Sequence, residues 1–168
     1  MRIVFASGNR GKFREMKAQL EPAGVELLFG GDMEGPHEIE ETGETYADNA
    51  LGGLPGVHSA RIVEGSDADR TRWLLGELAD KEDRRGRFAC AIAVVMPDGR
   101  EPLVVTRYCP GVIIREPRGT SGFGYDPVFV PDGFDKPFAE LGDETKNKIS
   151  HRALAVKGIA EMLRAVIE

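Results

Sequence analysis

The N-terminal segment constrains the fold most. The apolar run that ends at Ala6 stops at Ser7-Gly8-Asn9-Arg10-Gly11-Lys12, and Phe13, Met16 and Leu20 then recur at helical spacing until Pro22 and Gly24 end the pattern. A strand from Arg2 to Ala6 that passes through a tight turn into a helix predicts an α/β (α+β) layer architecture, with helices covering a mixed sheet. Val25 to Phe29 supplies a second short strand, and Gly30 to Glu44 is a polar, acidic loop. Thr45 to Leu51 opens a helix that stops early, and Gly52 to Ser66 is glycine-rich and irregular. Asp67 to Leu78 predicts a helix with Trp73, Leu74, Leu75 and Leu78 on its apolar side. Arg87 to Met96 is almost continuously apolar, as suits a strand covered on both faces. After the turn signal Pro97-Asp98-Gly99-Arg100, Leu103 to Tyr108 and Val112 to Ile114 read as returning strands of a meander, and Val128 to Val130 as a short strand. Leu154, Ile159, Leu163 and Val166 mark a C-terminal helix, with Ser150 as its N-cap.

At 168 residues and 41% hydrophobic content, the chain is long enough for one core and short for two, so residues 1–168 are expected to form a single domain. Its 22 Lys and Arg against 28 Asp and Glu give a net charge of -6, which argues against general attraction to a nucleic-acid polymer or an anionic membrane. The N-terminal apolar run is too short for a signal peptide, and no stretch approaches the roughly 18 residues that span a bilayer. A cytoplasmic location is therefore expected. Cys90 and Cys109 flank the predicted turn and read as buried reduced thiols, with a pairing across a hairpin as the alternative.

Four segments carry residue types suited to chemistry. Ser7 to Lys12 presents backbone N–H groups at a helix N-terminus, where phosphate is favoured; Asn9 adds a neutral donor and Lys12 a point charge. The opening Gly of a Walker A loop is absent, Phe13 stands where its Ser or Thr would be, and a purely structural turn is the alternative. Glu38 to Thr45 gathers carboxylates that suit a hard cation, or simply a solvated face. Gly122-Phe123-Gly124-Tyr125-Asp126-Pro127 sets a ring and a carboxylate between glycines, fit for stacking on a base and accepting a ring N–H; a turn with its aromatics in the core is the other reading. Lys146-Asn147-Lys148-Ile149-Ser150-His151-Arg152 places cations and a histidine at the start of the last helix, against its macrodipole, which points to an anionic or carbonyl-bearing ligand. Three histidines without Cys-x-x-Cys or His-x-x-x-His spacing argue against a structural zinc site, and no nucleophile triad is legible.

In order along the chain, Ser-Gly-Asn-x-x-Lys, Glu-Glu-Thr-Gly-x-Thr-Tyr, Leu-Gly-Gly-x-Pro-Gly-Val-x-Ser-Ala-Arg, Gly-Phe-Gly-Tyr-Asp-Pro and Lys-Asn-x-Ile-Ser-His-Arg resemble the successive motifs of the inosine/xanthosine triphosphate pyrophosphatase family. The resemblance implies an elongated mixed sheet flanked by helices, a homodimer, and Mg²⁺-dependent hydrolysis of ITP, dITP or XTP to the monophosphate and pyrophosphate, clearing deaminated purines from the nucleotide pool. It also implies site roles. Ser7, Gly8, Asn9, Arg10, Gly11 and Lys12 would hold the triphosphate, and Glu40 would ligate Mg²⁺. Phe123 would stack on the purine, Gly124, Tyr125 and Asp126 would line its edge, Lys146 would assist, and His151 and Arg152 would approach the six-position oxygen. The types agree with the chemistry: an oxo-purine offers an acceptor at position six and an N–H at position one, which suit an Arg donor and an Asp acceptor.

One part of the pattern is missing. In the family, the helix opened by Glu-Thr-Gly-x-Thr leads into a strand ending Asp-Asp-Ser-Gly, which supplies the metal-binding and water-activating carboxylate. Here Asn49-Ala50 runs straight into Leu51-Gly52-Gly53, and no Asp-Asp-Ser-Gly occurs elsewhere. The gap amounts to roughly 25 to 30 residues on typical element lengths. The catalytic acid is thus unassigned, and nucleotide binding with crippled hydrolysis is the alternative expectation.

Overall fold

A computed structural model describes residues 2–5, 9–32 and 63–167. Ser7, Gly8, Glu40 and its acidic neighbours, the expected helix opening at Thr45–Leu51 and the junction at Ala50 lie outside the described residues. The chain divides into two compact units, one of Met1–Thr42, Cys90–Arg107 and Ser150–Glu168, the other of Gly43–Ala89 and Tyr108–Ile149.

In the first unit, β1 (Arg2–Phe5) and β2 (Glu26–Phe29) pair in parallel, with Ile3 opposite Leu27 and Phe5 opposite Phe29. Parallel neighbours need a crossover, and α1 (Arg10–Leu20) provides it. Met16 and Leu20 point from α1 into a core shared with Val25, Leu27, Val94 and Val105, and with Ala155, Val156, Ile159, Ala160 and Leu163 of α4 (His151–Ile167). Each fully buried aliphatic side chain of the Leu, Ile or Val type contributes about 1.5–3 kcal/mol. Ser150 caps α4 as expected: its Oγ accepts from Ala153 N at 3.2 Å and its carbonyl from Leu154 N at 2.9 Å. The four residues that mark the apolar stripe understate the burial of α4, because small residues at Ala153, Ala155 and Ala160 are covered as well.

In the second unit, α2 (Asp67–Glu77) starts with a full capping box between Ser66 and Asp69 and turns Leu74 inward, followed by Leu78 just past its end. A three-stranded sheet runs β3 (Arg85–Val94), β4 (Leu103–Ile113), β5 (Phe129–Pro131) in that order, with β4 and β5 antiparallel in the register Val112 to Val130. The two longer strands begin and end in different units. Phe88, Phe129 and Phe138 form the centre of the second core, with Phe129 and Phe138 stacked at 5.8 Å.

The fold class is α/β with mixed pairing, as the sequence leads one to expect. Three details differ. The two returning strands are one continuous β4 across Cys109-Pro110-Gly111, because Pro110 sits in extended backbone and its carbonyl takes the Asp132 N–H at 3.0 Å. Most of β3 is only half-buried rather than fully covered on both faces. A helix that the hydrophobic pattern does not reveal, α3 (Phe138–Ile149), follows β5; non-helical Gly142 interrupts it and breaks the periodicity. Cys90 and Cys109 are both free thiols, half-buried and buried.

Candidate nucleotide site

Of the expected phosphate segment, the structure describes Asn9 to Lys12, which form the start of α1. Asn9 is the N-cap of α1, and its Oδ1 accepts from Lys12 N at 2.9 Å. The Asn9 Oδ1 is therefore a cap that satisfies one amide of the first turn. Among the described residues the N–H groups of Arg10 and Gly11 have no intrahelical partner, as at any helix start. Arg10 turns to Asp32 at 2.5 Å and lies over the Phe29 ring at 4.6 Å, so its charge is shared. Lys12 is exposed and has no ion-pair partner among the described residues.

Beside α1 in the same unit, Arg152 and His151 are buried at the first turn of α4. Arg152 Nε donates to Glu15 Oε2, and its Nη1 lies 3.0 Å from His151 Nε2. Glu15 is a residue that sequence reasoning missed: it lies 137 positions from Arg152, and only its polar interruption of the helix's inner side hinted at a buried partner. Burial pushes the Cys90 thiol above its ordinary range, Arg152 and Lys12 pull it back, and Glu15 pushes it up again.

The glycine-flanked loop of the second unit is built around Asp126, which is 4% exposed. Its Oδ2 accepts from Phe123 N at 2.8 Å and from Lys146 Nζ at 2.6 Å. Gly122 is required here: its φ is +83°, and a Cβ at that position would run into the Asp126 carboxylate. The Lys146 ammonium also sits 4.5 Å from the centroid of the half-buried Phe123 ring, a cation–π contact. One residue on, Gly124 N donates to Asp67 Oδ2 at 2.7 Å. Tyr125 packs on the second core; burial raises its phenol above the ordinary range, Arg70 lowers it and Asp67 raises it.

Lys146 and Lys148 lie in the last turn of α3, not at the start of α4. Cations there favour the macrodipole, which corrects the expected opposition and leaves only Arg152 in the unfavourable place. Lys146 is explained instead by its buried pairing with Asp126. Phe123, Gly124, Tyr125, Asp126 and Lys146 fall in one unit, and Asn9 to Lys12, His151 and Arg152 in the other. Among the described residues no three His, Cys, Asp or Glu side chains stand together as a metal cluster, and no helix is long and apolar enough to cross a membrane.

Comparison with known proteins adds three findings. The model of the Ham1 family matches residues 3–52 and 49–162. A dITP/XTP pyrophosphatase of Bacillus licheniformis is 42% identical, with 96% of this chain and 97% of that protein aligned, and one of Symbiobacterium thermophilum is 42% identical over 99% and 97%. The structure of a HAM1 protein from Coxiella burnetii superposes with a TM-score of 0.83 at 32% identity, covering 98% of this chain and 99% of that one. The B. licheniformis alignment takes in 191 positions, more than the 168 residues present here, so that relative carries residues with no counterpart in this chain. The two matched segments of the family model meet at 49–52, where the sequence motifs break off.

Proposed function

This chain belongs to the Ham1 family, and on that premise we propose that it recognises deaminated purine nucleoside triphosphates, ITP, dITP or XTP, and is built to hydrolyse them to the monophosphate and pyrophosphate. The observation that carries the reading is the Asp126 carboxylate. It is buried and fixed through Oδ2 by Lys146 and the Phe123 amide, while Oδ1 makes no hydrogen bond among the described residues. An acceptor held in that way pairs with the N–H at position one of an oxo-purine, whereas adenine presents an acceptor there and leaves the carboxylate unpaired. Phe123 supplies the stacking ring, with Gly124 and Tyr125 along the edge and Lys146 holding the acceptor. Arg152, oriented by Glu15, is the proposed donor to the six-position oxygen, with His151 beside it.

On the phosphate side, Ser7 to Lys12 is the proposed cradle, with the Arg10 and Gly11 amides and the Lys12 ammonium as donors to phosphate oxygens. Water attacks the α-phosphorus in line and loses its proton to solvent, the bond to the bridging oxygen breaks, and the electron pair leaves with pyrophosphate; the donors offset the charge that develops. The described residues do not form a metal site, and the proposed ligand for Mg²⁺, Glu40, lies outside them. Bound with the triphosphate, Mg²⁺ would neutralise phosphate charge. We place this chemistry in residues 1–168 acting as a single nucleotide-binding domain, in a cytoplasmic homodimer.

A second reading has its own support. The missing positions at 49–52 coincide with the place where family motifs put the water-activating acid, which favours a purine nucleotide binder with hydrolysis crippled. Calorimetric titration with ITP, XTP and ATP in the presence of Mg²⁺ tests the base reading in either case. Tighter binding of ITP or XTP than of ATP is expected, and equal affinities would sink it.

A further inference from the structure

Successive amides of the base loop each end on a carboxylate, but from different parts of the chain. Phe123 N goes to Asp126, within the loop, and Gly124 N to Asp67, 57 positions earlier, on the first turn of α2. Thr71, one turn along α2 and buried, points its hydroxyl at the Gly124 carbonyl at 3.4 Å. The other oxygen of Asp67 is tied to Arg70 Nη2 at 2.7 Å, and Arg70 Nη1 is tied to the Gly65 carbonyl at 2.8 Å. The carboxylate therefore has little freedom to follow the loop if the loop moves. Gly124 itself has φ +62° and open space where a Cβ would stand, so packing at that position does not hold it.

We infer that Asp67 is a positioning residue for the base loop: by holding the Gly124 amide it sets where the Phe123 ring and the Asp126 carboxylate meet the purine. This rests on the function proposed above. The bland account is that Asp67 is only an acid at a helix N-terminus, where any carboxylate helps. Asp69 separates the two, because it sits in the same turn, completes the capping box with Ser66 and bonds to Arg72, but among the described residues has no bond to the loop.

The test uses the full chain with Asp67→Ala, Asp67→Asn and Asp69→Ala. Amide hydrogen exchange at Gly124 is read by NMR without ligand, and binding of ITP, ATP and inorganic tripolyphosphate by calorimetry. For Asp67→Ala, Gly124 exchange is expected to accelerate about tenfold and ITP affinity to fall about tenfold, with tripolyphosphate unchanged. Asp67→Asn keeps an acceptor and is expected to hold most of both. Asp69→Ala is expected to lower stability while leaving Gly124 and ITP binding as they were. Unchanged Gly124 exchange in Asp67→Ala overturns the inference, as does an equal loss of tripolyphosphate binding or an equal loss of ITP binding in Asp69→Ala. Equal affinity of the unaltered protein for ITP and ATP overturns the oxo-purine reading, and the role of Asp67 with it, even where Gly124 exchange shows the hydrogen bond intact.

Discussion

Lys146 Nζ lies 2.6 Å from Asp126 Oδ2, with the two side chains only 4% and 5% exposed. Two charges so far from water depend on each other: removing one leaves the other buried and uncompensated. Lys146→Ala is expected to destabilise the protein by about 3–5 kcal/mol, whereas Lys146→Met combined with Asp126→Leu recovers most of that loss. Urea denaturation of the single and double variants measures both. An equal loss in the double variant would show that the Asp126 acceptor for the Phe123 amide, and not the ion pair, carries the stability.

Lys12 is exposed and sits within the first turn of α1, so its charge is available to a ligand rather than to the fold. Lys12→Ala is expected to weaken triphosphate binding about tenfold to a hundredfold, from a charge-assisted contact worth roughly 1.5–3 kcal/mol, and to leave nucleoside binding nearly unchanged. Calorimetry with ITP and inosine reads the difference. Comparable losses for both would assign Lys12 to the fold.

The junction of Ala50 and Leu51 predicts a defect in turnover rather than in binding. A triphosphate brings several negative charges, and Glu40 alone is a thin contribution to metal placement and water activation. Pyrophosphate release from ITP is expected to be slow with the 168-residue chain and restored when a helix and Asp-Asp-Ser-Gly strand are inserted after Ala50. Full turnover by the short chain, abolished by Asp48→Asn, would instead locate the base at Asp48.

The start of α2 carries an acid-sensitive contribution. The Ser66 hydroxyl and N–H, then Arg72, hold the Asp69 carboxyl at about 2, below its ordinary 3.8. A depressed carboxyl stabilises the folded state above the ordinary value and loses that effect as pH falls from about 3.8 through about 2. In an acid titration followed by circular dichroism, Asp69→Asn is expected to lose less stability than the unaltered protein across that window. Parallel titration curves would mean that ionisation of the Asp69 carboxyl adds nothing to the stability of the fold.

Much of the architecture was legible along the chain because it is local. The strand and helix at the N-terminus, the Ser150 cap, the helix from Asp67 and the glycine-flanked loop at Phe123 follow from spacing, capping chemistry and the freedom of glycine, all set within a few residues. The ordered motifs likewise identified the family and the place where its pattern is interrupted, which the two-part family match reproduces at 49–52. The helix Phe138–Ile149 was hidden because Gly142 breaks its period, and β4 was divided in two because Pro110 reads as a stop when its partner at Asp132 is unknown.

What only the tertiary structure decided is which side chains serve which. Asp67 holds Gly124 across 57 positions, Arg152 takes Glu15 across 137, and Lys146 belongs to Asp126 rather than to an anion at the next helix. Each of these residues carries an ordinary surface charge when read in sequence. For Lys146 with Asp126 and Arg152 with Glu15 the roles come from burial, which removes water as the competing partner and makes an unmatched charge costly, whereas the half-exposed Asp67 is assigned by the fold that brings α2 against Gly124; in each case the partner is chosen by packing geometry and not by local pattern.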